Sequence, residues 1–380
     1  MKRKTFKDVT ILVLLLLVAA LALTACQPAE SPQGSEPAPT ETTEPKTEPG
    51  ASESQAAQDR VYEDSAGREV TLPDRLTHMV PSGPLAQIIL FTAAPDLIGA
   101  VAHPFTESQV RLLGEVYKGL PSVGQLYGKG DGFNLEAALM ANTQVIVDIG
   151  EAKASVKEDL DEITQQIKLP TVFIEATFAS MPQTYGDIGR LIADEERTQA
   201  LADYCQAWLD LSAKAQAALP QSERVSVYWA LGDAGLNTNA VGSFHSELLD
   251  YIPVINVADV EPANRGGGSE VSMEQIIGWQ PDYILVDGAK LADEIKADPA
   301  WAALEAVKAG RVLVVPSVPY GFLADPPSVN RYAGLAWLGP LFYPDLYGTG
   351  PQEAVTNFFQ LFYGVDLDEA QLAAILDGSY

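Results

Sequence analysis

One short unit occurs twice in this chain, and the duplication constrains its fold more than any other feature. "LEAALMANTQVIVDIG" (135–150) and "MEQIIGWQPDYILVDG" (273–288) align without a gap. Glu136 meets Glu274, the apolar triple Val145, Ile146, Val147 meets Tyr283, Ile284, Leu285, and Gly150 meets Gly288. Each copy reads as a short helix followed by a buried strand, so a chain holding two of them predicts two similar α/β halves.

The flanking sequence agrees. "YEDSAGREVTLPD" predicts a hairpin turning at Ala66-Gly67. "THMVPSGPLAQIILFTA" predicts a strand, a Ser-Gly-Pro loop and an apolar helix, and "DLIGAVAHPF" and "LPTVFIEA" read as strands. From Pro182 to Leu219 the strand signal stops. Leu201, Tyr204, Cys205, Trp208 and Leu211 recur at helical spacing there, behind a cap at Asp194. About 25 residues of helix would span roughly 37 Å. The α/β pattern restarts with "RVSVYWALG", "GSFHSELLDYI", "PVINVA" and the second copy, then "GRVLVVPSV" and two closing helices. The predicted fold is therefore α/β: two Rossmann-like, three-layer lobes, 61–181 and 220–380, joined by a single long helix within 182–219, with a cleft between the lobes.

The N-terminus reads as an export segment. Lys2, Arg3, Lys4 and Lys7 precede the run "ILVLLLLVAALAL", which is short for a spanning helix. "LTAC" resembles a bacterial lipobox, so residues 1–26 are expected to be a signal peptide and Cys26 a lipidated residue anchoring the chain to the bilayer. Residues 27–60, rich in Pro, Glu, Ser and Thr, are expected to be a disordered tether. Cys205, the other of two cysteines, is expected to be a small buried apolar residue.

A formal charge of -27 on 380 residues argues against nucleic acid as a partner, because that affinity rests on Lys and Arg neutralising phosphates. Enzyme chemistry is also disfavoured. "VGSFHSE" lacks the second Gly of G-x-S-x-G, "GGG" at 266–268 lacks dinucleotide or P-loop spacing, and no C-x-x-C or H-E-x-x-H occurs. With three His in all, no metal held directly by protein side chains is expected, and no cofactor.

This layout, with "GREVTLP", "GDIGRLIADEERTQAL", "EQIIGWQPDYILVDG" and "PPSVNRYAGLAWLGPLFYP", resembles the substrate-binding lipoproteins of ABC importers for ferric siderophores, haem and cobalamin. The resemblance implies a monomeric extracytoplasmic binding protein whose partners are an ABC permease with its ATPase subunits and a small-molecule metal complex. It also implies that Glu136 and Glu274, one per lobe, dock on arginines of the permease. Relatives of similar architecture bind molybdate or tungstate, so the ligand stays open between the favoured iron chelate, an oxyanion, and haem or cobalamin.

Ligands of open α/β sheets bind beyond the carboxyl ends of the strands. In the first lobe this selects Ser82, Gly83 and Pro84, His103, and Gly150 with Glu151. In the second it selects Tyr228 and Trp229, Ser243 and His245, Asn264 and Arg265, Asp287 with Gly288, Tyr320, and Asn330 with Arg331. Trp229 reads equally as a cleft wall or as core, Arg265 as a ligand contact or a solvated loop charge, and Arg331 as a ligand contact or a pair within its helix. His103 and His245 read as ligand contacts or as ordinary polar residues.

Overall fold

A computed structural model describes residues 59–127, 132–263, 267–324 and 326–380. Cys26, the export segment and all but the last two residues of the expected tether lie outside the described residues, as do Asn264 and Arg265. Those last two residues, Asp59 and Arg60, already belong to a strand.

The strands in chain order are β1 (Asp59–Glu63), β2 (Glu69–Pro73), β3 (Met79–Pro81), β4 (Val145–Gly150), β5 (Thr171–Glu175) and β6 (Val225–Ala230). They continue with β7 (Asn237–Thr238), β8 (Val254–Asn256), β9 (Ser269–Glu270), β10 (Tyr283–Val286) and β11 (Val312–Val314). β1 and β2 form the predicted antiparallel hairpin. β3, β4 and β5 make one all-parallel sheet, with Met79 opposite Val145 and Ile146 opposite Thr171. The second parallel sheet has the order β11-β10-β6-β8, with Ile284 between Val312 and Tyr228. Each copy of the repeated unit thus supplies a strand flanked by two others in its sheet.

Side chains alternate along these strands, and the alternation divides the core. Val145, Val147, Val227, Trp229 and Leu285 face one shared apolar core, while Ile146 and the pair Tyr228 and Ile284 face two smaller clusters on the outer faces. The shared core is roofed by the helix Glu195–Ala218, which Asp194 caps by accepting a hydrogen bond from the Arg197 N–H. Leu201, Cys205 and Trp208 are buried on that helix. Burial also drives the Cys205 thiol well above its ordinary pKa, as expected of an inert apolar cysteine.

That helix is not the sole connection. Near the C-terminus the helices Asn330–Phe342 and Pro351–Tyr363 return to the first half, before a last helix Glu369–Asp377. The Tyr332 hydroxyl donates to the Phe178 carbonyl at 2.7 Å with the two rings stacked, and the Tyr363 ring lies 6.3 Å from Phe91. Gly334 lets the first of these helices pack closely within its own half, because a Cβ there would fall 2.7 Å from Leu248 Cδ2.

"DLIGAVAHPF" departs from expectation. Instead of a strand it forms a 3-10 turn at Pro95–Leu97 and two isolated bridges. The Gly99 N–H bonds to Met79 and the Val101 N–H to Pro121, so the segment changes partner before a ladder can grow.

Candidate functional site

Three cavities meet where the carboxyl ends of the two parallel sheets face each other. The largest, about 680 Å³, lies at the ends of β6, β10 and β11 and is lined by Trp229, Asn239, His245, Asp287, Gly288 and Tyr320, with Gln109 from the first half. A second, about 250 Å³, lies at the end of β4, lined by Tyr127, Asp148, Gly150, Glu151 and Lys153, and closed from the other half by Phe244 and Arg331. A third, about 420 Å³, includes Ser243 and shares Asn239 and His245 with the first and Phe244 with the second. The loop 239–245 therefore stands at the junction of all three.

Local chemistry fixes the largest cavity. The Trp229 indole N–H donates to the Asp287 carboxylate at 3.0 Å across adjacent strands β6 and β10, holding ring and carboxylate in register. Asn256 fastens the Asn239 backbone by donating from its amide at 2.9 Å. The Gln109 amide donates to the Pro319 carbonyl at 2.7 Å, tying the capped helix Glu107–Leu113 to the cavity's far wall. Burial pushes the Tyr320 hydroxyl up, partly offset by the Gln87 side chain, so it stays a neutral phenol.

In the smaller cavity the Ser82 hydroxyl donates to Asp148 at 2.5 Å. Burial raises the Asp148 carboxyl, opposed by that bond, by Lys153 and Arg68, and by the Tyr127 hydroxyl. Arg331 is buried, bonded to Glu247 at 2.5 Å, with its guanidinium over the rings of Phe178 at 5.1 Å and Phe244 at 5.7 Å. Its Nε has no hydrogen-bond partner among the described residues.

The sequence-selected residues divide accordingly. Trp229, His245, Asp287, Gly288 and Tyr320 come together in the largest cavity, Gly150, Glu151 and Arg331 in the smaller, and Ser243 in the third. Tyr228 is a correction: strand alternation turns it away from the cleft, fully buried between Trp279 and Trp301, with its hydroxyl on the Gly235 carbonyl. Asn330 is another, since it is fully buried and its amide donates to the Tyr320 carbonyl at 2.9 Å. Ser82, Gly83 and Pro84 shape the strand-to-helix turn rather than a cavity wall; Ser82 is spent on Asp148 and Pro84 opens the helix Pro84–Ala93. His103 is exposed, its backbone held by the Gln87 amide, and lines none of these three cavities. Gln109, Tyr127, Lys153 and Asn239 are additions, and Phe244 joins the Ser243 and His245 selected on either side of it; of the additions only Tyr127 carries a sequence signal, the glycines that follow it in "QLYGKGDG".

Glu136 and Glu274 occupy matched places. Each is exposed in the first turn of its helix, Leu135–Met140 behind the Asn134 cap and Met273–Trp279 behind the Ser272 capping box. The backbone N–H of its own turn and the Ser272 hydroxyl hold the Glu274 carboxyl below its ordinary range.

Comparison with known proteins places this architecture. Residues 141–319 match the model of the family described as periplasmic binding protein. A solved ABC transporter solute-binding protein from Sulfurospirillum deleyianum is 30% identical, with a TM-score of 0.74 over 83% of this chain and 98% of that one. The chain belongs to the periplasmic binding protein family of ABC-transporter solute-binding proteins. Two curated relatives differ in what their names say they bind. The molybdate-binding protein MolA of Haemophilus influenzae is 22% identical over 81% of this chain and 92% of its own length. The Fe(3+)-citrate-binding protein YfmC of Bacillus subtilis is 24% identical over 47% of this chain and 55% of its own. Solute-binding proteins of this family are extracytoplasmic and deliver their ligands to an ABC permease.

Proposed function

We propose that this solute-binding protein captures an iron chelate, of the ferric carboxylate or siderophore kind, and hands it to its permease. The observation that carries the reading is the cavity of about 680 Å³ walled by Trp229 and Tyr320. Pockets of about 300–1,000 Å³ with aromatic walls and a few fixed polar groups suit organic ligands. A bare tetrahedral oxyanion needs a tight nest of N–H donors instead. YfmC supports the chelate; MolA, which matches over more of the chain, supports the oxyanion as the second reading.

In this reading the chelate bridges the two halves and favours a closed state only by its greater affinity for that state. Glu136 and Glu274 then dock on permease arginines through charge-assisted hydrogen bonds, one from each half. A lipid on Cys26 keeps the protein at the membrane during the exchange.

The test is a titration of the leaderless chain with ferric citrate, ferric siderophores, haem, cobalamin, molybdate and tungstate, following tryptophan fluorescence. Because Trp229 lines the cavity, saturable quenching by one iron chelate, lost in Trp229→Ala, is the expected result. Binding of molybdate or tungstate alone would overturn the chelate and keep the importer.

A further inference from the structure

We propose that Leu139 and Met140, with Ile277 as their counterpart, form the apolar part of the permease-docking surface, and that the first lobe carries the stronger anchor. The proposal rests on the docking role read for Glu136 and Glu274 and not on the identity of the cargo.

The helix Leu135–Met140 has two unlike faces. Ala138 is fully buried against Val80 and Ile146, whereas Met140 is 77% exposed and Leu139 56% exposed. Positions three and four apart on a helix are neighbours, so Glu136, Leu139 and Met140 make one patch, a carboxylate beside two apolar side chains. A large exposed apolar side chain is unremarkable singly, but two adjacent ones beside a charge offer a partner apolar area to desolvate.

Duplication supplies the second, independent observation. In the other copy Glu274 stands at the place of Glu136, and Ile277, 36% exposed, stands at the place of Leu139. Gly278 replaces Met140, so the second patch keeps its charge and has one apolar side chain in place of two. Both helices lead through a short connection into a parallel strand, β4 or β10, and so run antiparallel to it. Their N-terminal turns therefore lie at the carboxyl ends of the sheets, on the rim from which cargo must leave.

Chemistry selects the occupant. Two carboxylates on a chain of net charge -27 are repelled by an anionic bilayer and complement a protein surface that carries cationic groups. Interface energy concentrates in a few desolvated side chains, and flanking charges set orientation. Met140 and Leu139 supply more area to desolvate than Ile277 alone, hence the asymmetry.

The measurement is binding of the leaderless chain to its own permease complex in lipid nanodiscs, compared for L139D/M140E, the milder L139Q/M140Q, I277D and E136A/E274A. Ferric citrate and molybdate titrations and thermal melts run on each variant in parallel. The expected result is permease affinity lower by about tenfold or more in both Leu139/Met140 variants, a smaller loss in I277D, and unchanged melting. Wild-type permease affinity in both Leu139/Met140 variants overturns the proposal. Equal losses from I277D and L139D/M140E overturn the asymmetry. Concentration-dependent dimers of the wild type that L139Q/M140Q abolishes would reassign the patch to a second copy of this chain, and overturn it too. A cargo different from the one proposed leaves these comparisons untouched.

Discussion

Asp148 sits near the end of β4 facing the smaller cavity, where burial raises its carboxyl against the pull of Ser82 and Lys153. A carboxyl whose folded pKa exceeds its unfolded pKa binds more protons folded than unfolded. Its contribution to stability is therefore full below the unfolded pKa and is lost as the pH rises through the folded pKa. Asp148→Asn keeps an acceptor for the Ser82 hydroxyl and removes the ionisation. The variant should thus be the more stable protein near pH 7, with the gap closing toward about pH 4, where both side chains are neutral. Parallel melting-temperature profiles for the two proteins across that range would refute it. At the same scale, Tyr228 and Trp229 show what adjacency conceals. Both are aromatic strand residues, and composition cannot say which faces the cleft. The pairing of β6 with β10 decides it, placing Trp229 beside Asp287 and Tyr228 in the outer cluster.

Among elements, the helix Glu195–Ala218 was legible in advance because its signals are local: a capping Asp194 and apolar residues at helical spacing. How closely it packs was not legible. Gly189, on the preceding helix Met181–Ile192, lies where a Cβ would fall 2.9 Å from the Glu195 Cα and closer still to the Thr198 hydroxyl. Gly189→Ala should therefore force the two helices apart and cost about 1–3 kcal/mol, read as a lower urea midpoint. An unchanged midpoint would mean that the crossing relaxes freely. The lost strand at "DLIGAVAHPF" illustrates the converse: its apolar pattern was real, since Ala100, Val101 and Ala102 are buried, but burial without a continuous partner makes no ladder.

At the scale of the molecule, the two halves share one core as well as a linking helix. Phe91 and Phe178 of the first half pack against Tyr363 and Tyr332 of the closing helices, and Tyr185 of the linking region packs against Phe362. Buried apolar contact of this kind resists the wide swing of halves joined only by strands, and under the proposed function the permease is expected to act on both halves together. Exchanging Glu136 and Glu274 for Ala should accordingly abolish uptake in reconstituted vesicles while ligand affinity stays at the wild-type value. A double variant that loses ligand affinity would place these carboxylates in the binding site instead. The duplicated α/β design, the linking helix and the matched glutamates could be read from linear pattern, because periodicity and caps involve neighbouring residues and a repeat shows on aligning two segments, whatever they touch. Only the tertiary structure decided which strand face meets the cleft, that Arg331 is bonded to Glu247 between two rings, and that Gln109 and Phe244 join the site. Those outcomes depend on residues far apart in the chain, whose meeting is set by strand order and helix packing.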